Sequence, residues 1–480
     1  MVQRIILAAL SALIYISTLI PQCALAGWEI PFDGSNSEPV VHDEIIYVGS
    51  FDGAVYAIEP KSGEQIWRFQ TGTGLTSGPE IIMAPGKTFG DQLGAALNAL
   101  EKKGKGKREI DATPVIKDGT VYVGSKDHNF YALDAKTGKL RWATNIEHQI
   151  SRKALVTDKT ILVRGGGEGL LPAIYALDKE DGRVIWSTVG KGEATYPSVS
   201  GNVVYYGLKE PVPAARDMAT LRKSYSYDNI TVSINAVELR TGTLLWTQKF
   251  QGKPPEEIVI SSDLVYVSFF LGGGLIELPN NVVDWAPSTM DVFALRASSG
   301  EIAWKFSAGP VRPSGPLELV AGSEHIYFVA PQGLHAVNIK TGKQEWFIKG
   351  TFSHHQMAIG EYLYVHGDST RNDSHLYAID TKTGRVIWSY SDKNLFYTTL
   401  VGDTLYISAE QSLVALNAST GKHLWKFKTG GFFKAGTNVS TSPTIHDNHV
   451  IFPTSTNMIW GKDSIQGHLY SVDARTGKVK

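Results

Sequence analysis

Tyr131-Ala-Leu-Asp-Ala-Lys-Thr-Gly-Lys-Leu-Arg-Trp142 decides the fold, because the chain keeps returning to it. Tyr377-Ala-Ile-Asp-Thr-Lys-Thr-Gly-Arg-Val-Ile-Trp388 is nearly the same segment. A Gly-x-x-x-Trp step recurs at Gly63/Trp67, Gly138/Trp142, Gly182/Trp186, Gly242/Trp246, Gly300/Trp304, Gly342/Trp346, Gly384/Trp388 and Gly421/Trp425. A ninth copy runs from Tyr470 to Gly477 and reaches Lys480 before any Trp. Successive Trp residues of the series lie 75, 44, 60, 58, 42, 42 and 37 positions apart. The unit is therefore about 40 residues, and the excess is insertion.

Each unit reads as four short strands. In the second copy Thr113-Pro-Val-Ile and Val121-Tyr-Val-Gly flank the turn Lys117-Asp-Gly-Thr. Phe130-Tyr-Ala-Leu-Asp and the strand that starts at Leu140 flank Lys136-Thr-Gly-Lys. Asp-Gly and Thr-Gly supply the positive φ that tight hairpins need. Evenly spaced, turn-bounded strands indicate an all-β chain, and a four-stranded unit at this period is a β-propeller blade. Nine copies of the repeat are counted, which leaves eight or nine blades open.

The recurrent chemistry is structural. The glycine closes the turn before the outer strand. The Trp four residues on can lay its ring on the neighbouring blade and give its N–H to a backbone acceptor. Trp67, Trp142, Trp186, Trp246, Trp304, Trp346, Trp388 and Trp425 form this docking series. Thr476-Gly-Lys-Val-Lys480 lacks a Trp, and Gly27-Trp28-Glu-Ile-Pro-Phe32 carries one. Residues 28–32 are thus expected to form the outer strand of the last blade, with Trp28 as its docking Trp. That clasp would tie both termini into one sheet and leave few open edges.

Residues 1–26 read as an export signal, and residues 27–480 as a single propeller domain. Arg4 is followed by an apolar run from Ile5 to Ile20, then Pro21 and the cleavage-type Ala24-Leu25-Ala26. Cleavage would remove Cys23, the only cysteine, which suits an oxidising periplasm or the exterior. A single cysteine excludes a disulfide framework, an all-cysteine metal centre and a c-type haem motif. A net charge of −1 excludes a broadly basic nucleic-acid binder.

The Ala-x-Asp-x-x-Thr-Gly-Lys-x-x-Trp pattern resembles the tryptophan-docking repeat of the PQQ-like β-propellers, and the resemblance covers nearly all of residues 28–480. Membership would imply a propeller, with eight blades the family norm. The family holds quinoprotein dehydrogenases that use pyrroloquinoline quinone and Ca²⁺. It also holds non-enzymatic propellers such as BamB, a subunit of the outer-membrane β-barrel assembly machine. The sequence lacks the adjacent-cysteine disulfide and the Trp-Asp-x-Asp run of many quinoprotein alcohol dehydrogenases.

In an antiparallel blade with strands a to d, the a–b and c–d turns lie on one face. The b–c turns and the d–a crossings lie on the other. Insertions at 71–110, 208–232, 269–289, 367–374 and 454–467 all fall on that second face, where binding is expected. Trp285 and Trp460 stand outside the docking series. They read either as an aromatic platform, with Asp284, Asn457 or Asp463 as polar ligands, or as loop anchors and partner contacts. Thr88–Lys103 reads as an amphipathic helix. With the basic residues up to Arg108 it would suit an acidic partner or lipid headgroups, or else fold back as a lid. Ala214–Lys223 is a second possible helix. Gly165-Gly-Gly and Gly272-Gly-Gly read as b–c turns. No catalytic set and no metal motif stand out, and His354-His355 read as packing or surface residues. The leading expectation is an exported scaffold for a protein partner in the cell envelope, without cofactor. The alternative is a quinone- and Ca²⁺-dependent dehydrogenase or another propeller enzyme acting on an alcohol or sugar.

Overall fold

A computed structural model describes residues 27–72, 109–167, 170–189, 192–210, 230–253, 258–278, 282–311, 319–352, 357–370, 373–409, 411–429, 438–455 and 467–479. They form nine antiparallel sheets, one per repeat, in a nine-bladed propeller. Blade 2 shows the plan, with strands Val115–Lys117, Thr120–Gly124, Asn129–Asp134 and Leu140–Asn145 from the centre outward. Its first turn places Asp118 at φ 51° and Gly119 at φ 68°, the left-handed pair that a two-residue hairpin requires. Inner strands of neighbouring blades touch around the axis. Strands b and c are apolar on both faces and pack between blades. One such layer joins Tyr364, Leu376 and Ala378 of blade 7 to Leu405, Ile407 and Val414 of blade 8.

Nine tryptophans join the blades. Trp67 donates its indole N–H to the Ala135 carbonyl of blade 2 at 2.9 Å, and its ring lies where a Cβ on Gly138 would sit. Trp142, Trp186, Trp246, Trp304, Trp346, Trp388 and Trp425 repeat both contacts, with acceptors Lys179, Leu239, Ala297, Ile339, Thr381, Ala418 and Ala474. The turn glycine is needed twice over. Its φ is positive, 68° at Gly138, and a side chain there would collide with the ring. A buried strand-b tyrosine, absent from the sequence reading, lies beside many of these rings. The Tyr47, Tyr205, Tyr266, Tyr327 and Tyr364 hydroxyls donate to the same carbonyls as the neighbouring Trp residues.

A β-bulge aims eight of the nine rings, all but that of Trp28. In blades 1 to 8 the c–d register shifts one residue before the Trp, opposite a small Ala. In blade 1, Ile58 faces Gln65 while Ala57 faces Trp67, so Ile66 is the extra residue. The bulge turns the Trp sideways onto the next blade and leaves Ile66, Leu245, Ile387 and Leu424 exposed at the rim.

The ring closes through the N-terminal strand. Trp28–Phe32 pairs antiparallel with Gly467–Asp473, Trp28 opposite Ser471 and Phe32 opposite Gly467. Trp28 donates to the Pro60 carbonyl of blade 1 at 2.6 Å and lies against Gly63. The seam core holds Trp28, Ile46, Val48, Ile58, Ile451 and Leu469. Thr444 and Ser440 of blade 9 hydrogen-bond to the Pro39 and Ser35 carbonyls. The count is nine, not the family norm of eight.

Two expectations need correction. Gly165-Gly-Gly and Gly272-Gly-Gly are not turns, because the strands run through them as Thr160–Gly167 and Leu264–Leu278. The 269–289 segment is correspondingly the extended end of a hairpin, returning as Val282–Arg296. Glycines lack the side chain to pack but keep their ladder hydrogen bonds, so they do not by themselves end a strand. Residues 1–26 and the expected helices at 88–103 and 214–223 lie outside the described residues, and among the described residues there is no helix.

Trp28→Ala removes an 8% exposed indole and its hydrogen bond from the seam. Chemical denaturation should show a loss of about 3–5 kcal/mol. A change near zero would mean that the last blade closes without its outer strand.

Candidate functional site: the insert-bearing face

The two faces of the ring differ by construction. One carries tight a–b and c–d turns, such as Asp43-Glu44, Asp118-Gly119 and Asp447-Asn448. The other carries the b–c turns and the d–a crossings that run from rim to axis. Of the expected insertions there, 73–108, 211–229 and 456–466 lie outside the described residues, and with them Trp460, Asn457 and Asp463. The 367–374 segment continues strands Leu363–Thr370 and Asp373–Ile379. Trp285 and Asp284 stand on a strand, opposite Leu275 and Ile276 in the ladder. Among the described residues, the outer strand of blade 5 pairs as far as Ser288, opposite Val311. Beyond that row strands b and c stay paired to Leu278 and Val282, a two-stranded ribbon among the described residues. At about 3.3 Å per residue this ribbon rises roughly 20 Å above the last three-stranded row.

Blades 2 to 4 bring a basic cluster to the same face. Arg152 lies on the crossing from blade 2 to blade 3, and Tyr196 on the next crossing. Arg164 lies on strand b of blade 3 between them. The guanidinium carbons of Arg152 and Arg164 sit 4.3 and 4.2 Å from the centroid of the Tyr196 ring. Arg164 is fixed by a 2.8 Å hydrogen bond from Nε to the Ala194 carbonyl, which leaves its Nη groups for another acceptor. Beside it His148 is buried, its Nδ1 2.7 Å from the Tyr175 hydroxyl and its Nε2 3.0 Å from the Leu171 carbonyl. Leu170 and Leu171 at the tip of that blade are 45% and 50% exposed. Guanidinium planes beside exposed leucines make a surface suited to carboxylates set among apolar side chains. Nothing local in the sequence marks this cluster, because residues 152, 164 and 196 meet only through the ring.

Several charged groups among the described residues are paired with one another. Lys126 in the b–c turn of blade 2 pairs with Glu109 and with Asp111, the latter at 2.6 Å. Burial still pushes the Asp111 carboxyl up. In blade 5, buried Asp291 pairs with Lys305 at 2.7 Å, and the Lys305 ammonium lies over the Phe293 ring. The His366 ring of blade 7 is buried with Nε2 2.7 Å from the Thr398 hydroxyl of blade 8, and burial lowers its pKa to about 4.

His366 therefore has a consequence for pH. Between its ordinary value of 6.5 and about 4 the unfolded chain binds a proton that the folded chain excludes. Stability should fall as pH drops through that window. Melting temperatures across it should fall less steeply for His366→Gln, whose amide can keep a bond to Thr398. Equal slopes would show that His366 does not contribute.

The family described as outer membrane protein assembly factor BamB matches residues 26–106, 86–216, 231–346, 310–390 and 391–480. A tetrathionate hydrolase from Acidithiobacillus ferrooxidans is 23% identical over 367 residues, covering 65% of this chain and 66% of the hydrolase. The dehydrogenase subunit of a quinone-type alcohol dehydrogenase from Komagataeibacter europaeus is 24% identical over 453 residues, covering 84% of this chain and 51% of that subunit. Outer membrane protein assembly factor BamB from Shewanella oneidensis is 23% identical over 323 residues, covering 61% of this chain and 69% of that protein. The chain thus spans just under two thirds of the hydrolase and about half of the dehydrogenase subunit.

Proposed function

We infer a role from one premise: this chain belongs to the β-propeller family described as outer membrane protein assembly factor BamB. The role is that of an exported, non-enzymatic scaffold in the cell envelope that holds a protein partner on its insert-bearing face. One observation carries the reading. A ring closed by nine docking contacts has tight turns on one face, while its extended hairpins open on the other. Rigid blades with elaborated connections on a single side are a recognition surface. The Arg152, Arg164 and Tyr196 cluster supports a partner that presents carboxylates. The blade 5 ribbon supports pairing with an extended segment. An export signal at 1–26 and the absence of cysteine after it support a periplasmic location. Residues 88–108 would add a peripheral contact with the partner or the membrane.

The dehydrogenase relative supports a second reading, a quinoprotein-type oxidoreductase. Pyrroloquinoline quinone with Ca²⁺ needs a flat aromatic platform and six to eight oxygen ligands for the ion. Among the described residues, the group of three potential metal ligands contains a histidine and lies on the opposite face. Tyr196 already carries two guanidinium groups over its ring. Trp460, Asn457 and Asp463, which the sequence offers for such a site, lie outside the described residues, and no step runs through the cofactor.

Affinity purification from envelope extracts should recover a protein partner with the wild-type chain. Arg152→Glu with Arg164→Glu should weaken capture by about tenfold or more, with the larger share lost at low salt, where steering is strongest. Deleting 275–285 should also weaken it and leave the melting temperature nearly unchanged. Recovery of the chain alone under gentle conditions, or full capture by both variants, would contradict the proposal.

A further inference from the structure

The seam between the first and last blades carries a side-chain group with a different chemistry. His446 ends the inner strand Thr444–His446 of blade 9, and Asp447 follows it in the turn. Glu44 lies in the corresponding turn of blade 1. His446 Nε2 is 3.1 Å from Glu44 Oε2 and 3.7 Å from Asp447 Oδ2, and one ligand atom from each residue lies within 4.8 Å of the others. Residues 402 positions apart in the chain meet here because the propeller closes.

A hydrogen bond accounts for Glu44 alone, and Asp447 stands 3.7 Å from the same nitrogen. One imidazole nitrogen has one hydrogen or one lone pair, so it can serve one carboxylate well and not two. A second carboxylate brought to the same nitrogen repels the first. A divalent ion shared by all three removes that conflict. With metal–nitrogen and metal–oxygen bonds near 2.0–2.2 Å, tetrahedral ligands lie about 3.4 Å apart, and the distances of 3.1 and 3.7 Å bracket this edge. One imidazole with two carboxylates suits Zn²⁺ and its neighbours in the first transition row. Ca²⁺ and Mg²⁺ favour all-oxygen sets. The position matters as much as the donors, since the group bridges the first blade and the last, which meet where the ring closes.

We propose that Glu44, His446 and Asp447 form a three-ligand site for a divalent transition-metal ion, of the Zn²⁺ class, that staples the first blade to the last. Water would complete the coordination. The site lies on the tight-turn face and is independent of the partner-binding reading.

The test is Zn²⁺ titration of chelator-treated full-length protein, followed by calorimetry and thermal melting. Wild type should bind one ion at the seam and melt higher, because a ligand of the native state stabilises it by mass action. Mg²⁺ should leave the melting temperature unchanged. His446→Gln keeps a donor for Glu44 but removes the imidazole ligand, and it should weaken binding at least tenfold and abolish the rise. Glu44→Gln provides a second variant with the same expected loss. X-ray absorption of the Zn²⁺-loaded protein should show one nitrogen and two carboxylate oxygens from the protein. Absence of a rise in wild type overturns the proposal, as does the same rise in both variants, which would place the ion on other surface histidines.

Discussion

The structure depends on one contact made nine times. An indole ring lies on a bare turn glycine of the next blade and gives its N–H to the carbonyl at the start of that turn. Each element is required by the others. The positive φ of the glycine makes the turn, and the missing Cβ makes room for the ring. The bulge before the Trp swings the ring out of its own sheet. The strand-b tyrosine shares the acceptor in five of the junctions. A ring of blades has no central core that spans it, so its stability lies in the layers between neighbours. The docking contact fixes their spacing and angle.

This explains how much could be read without coordinates. Gly63, Gly138 and their counterparts announce the turn, and the Trp four residues later announces the junction, because both are local consequences of one hairpin. The clasp through Trp28 was legible for the same reason: a motif interrupted at Gly477 resumes at Trp28. The bulges were not legible, since a register shift of one residue shows only when Ala57 is seen opposite Trp67. The hairpin through Gly272 was misread as a turn because composition marks flexibility, while strand continuation is decided by the partner strand. Arg152, Arg164 and Tyr196 carry no shared motif, and neither do Glu44 and His446. Both groups exist only because distant chain segments are brought together by the ring.

The two faces divide the molecule's chemistry. The face with extended hairpins carries the guanidinium groups of Arg152 and Arg164 and the exposed Leu170 and Leu171. The face with tight turns carries the Glu44, His446 and Asp447 group at the seam. The relatives include an assembly factor, a hydrolase and a dehydrogenase. Similarity to proteins of different activity means that the fold alone does not assign one to this chain.

The central claim is that the ring is closed by nine equivalent junctions, the one at Trp28 included. Hydrogen exchange of the indole N–H groups under native conditions tests it most directly, because each docking indole is hydrogen-bonded between two blades and exchanges only when they separate. The account predicts that the Trp28 indole exchanges as slowly as those of Trp67, Trp246 and Trp388. Exchange at Trp28 much faster than at the others would contradict it, and would make the N-terminal strand a loose cover on an open ring.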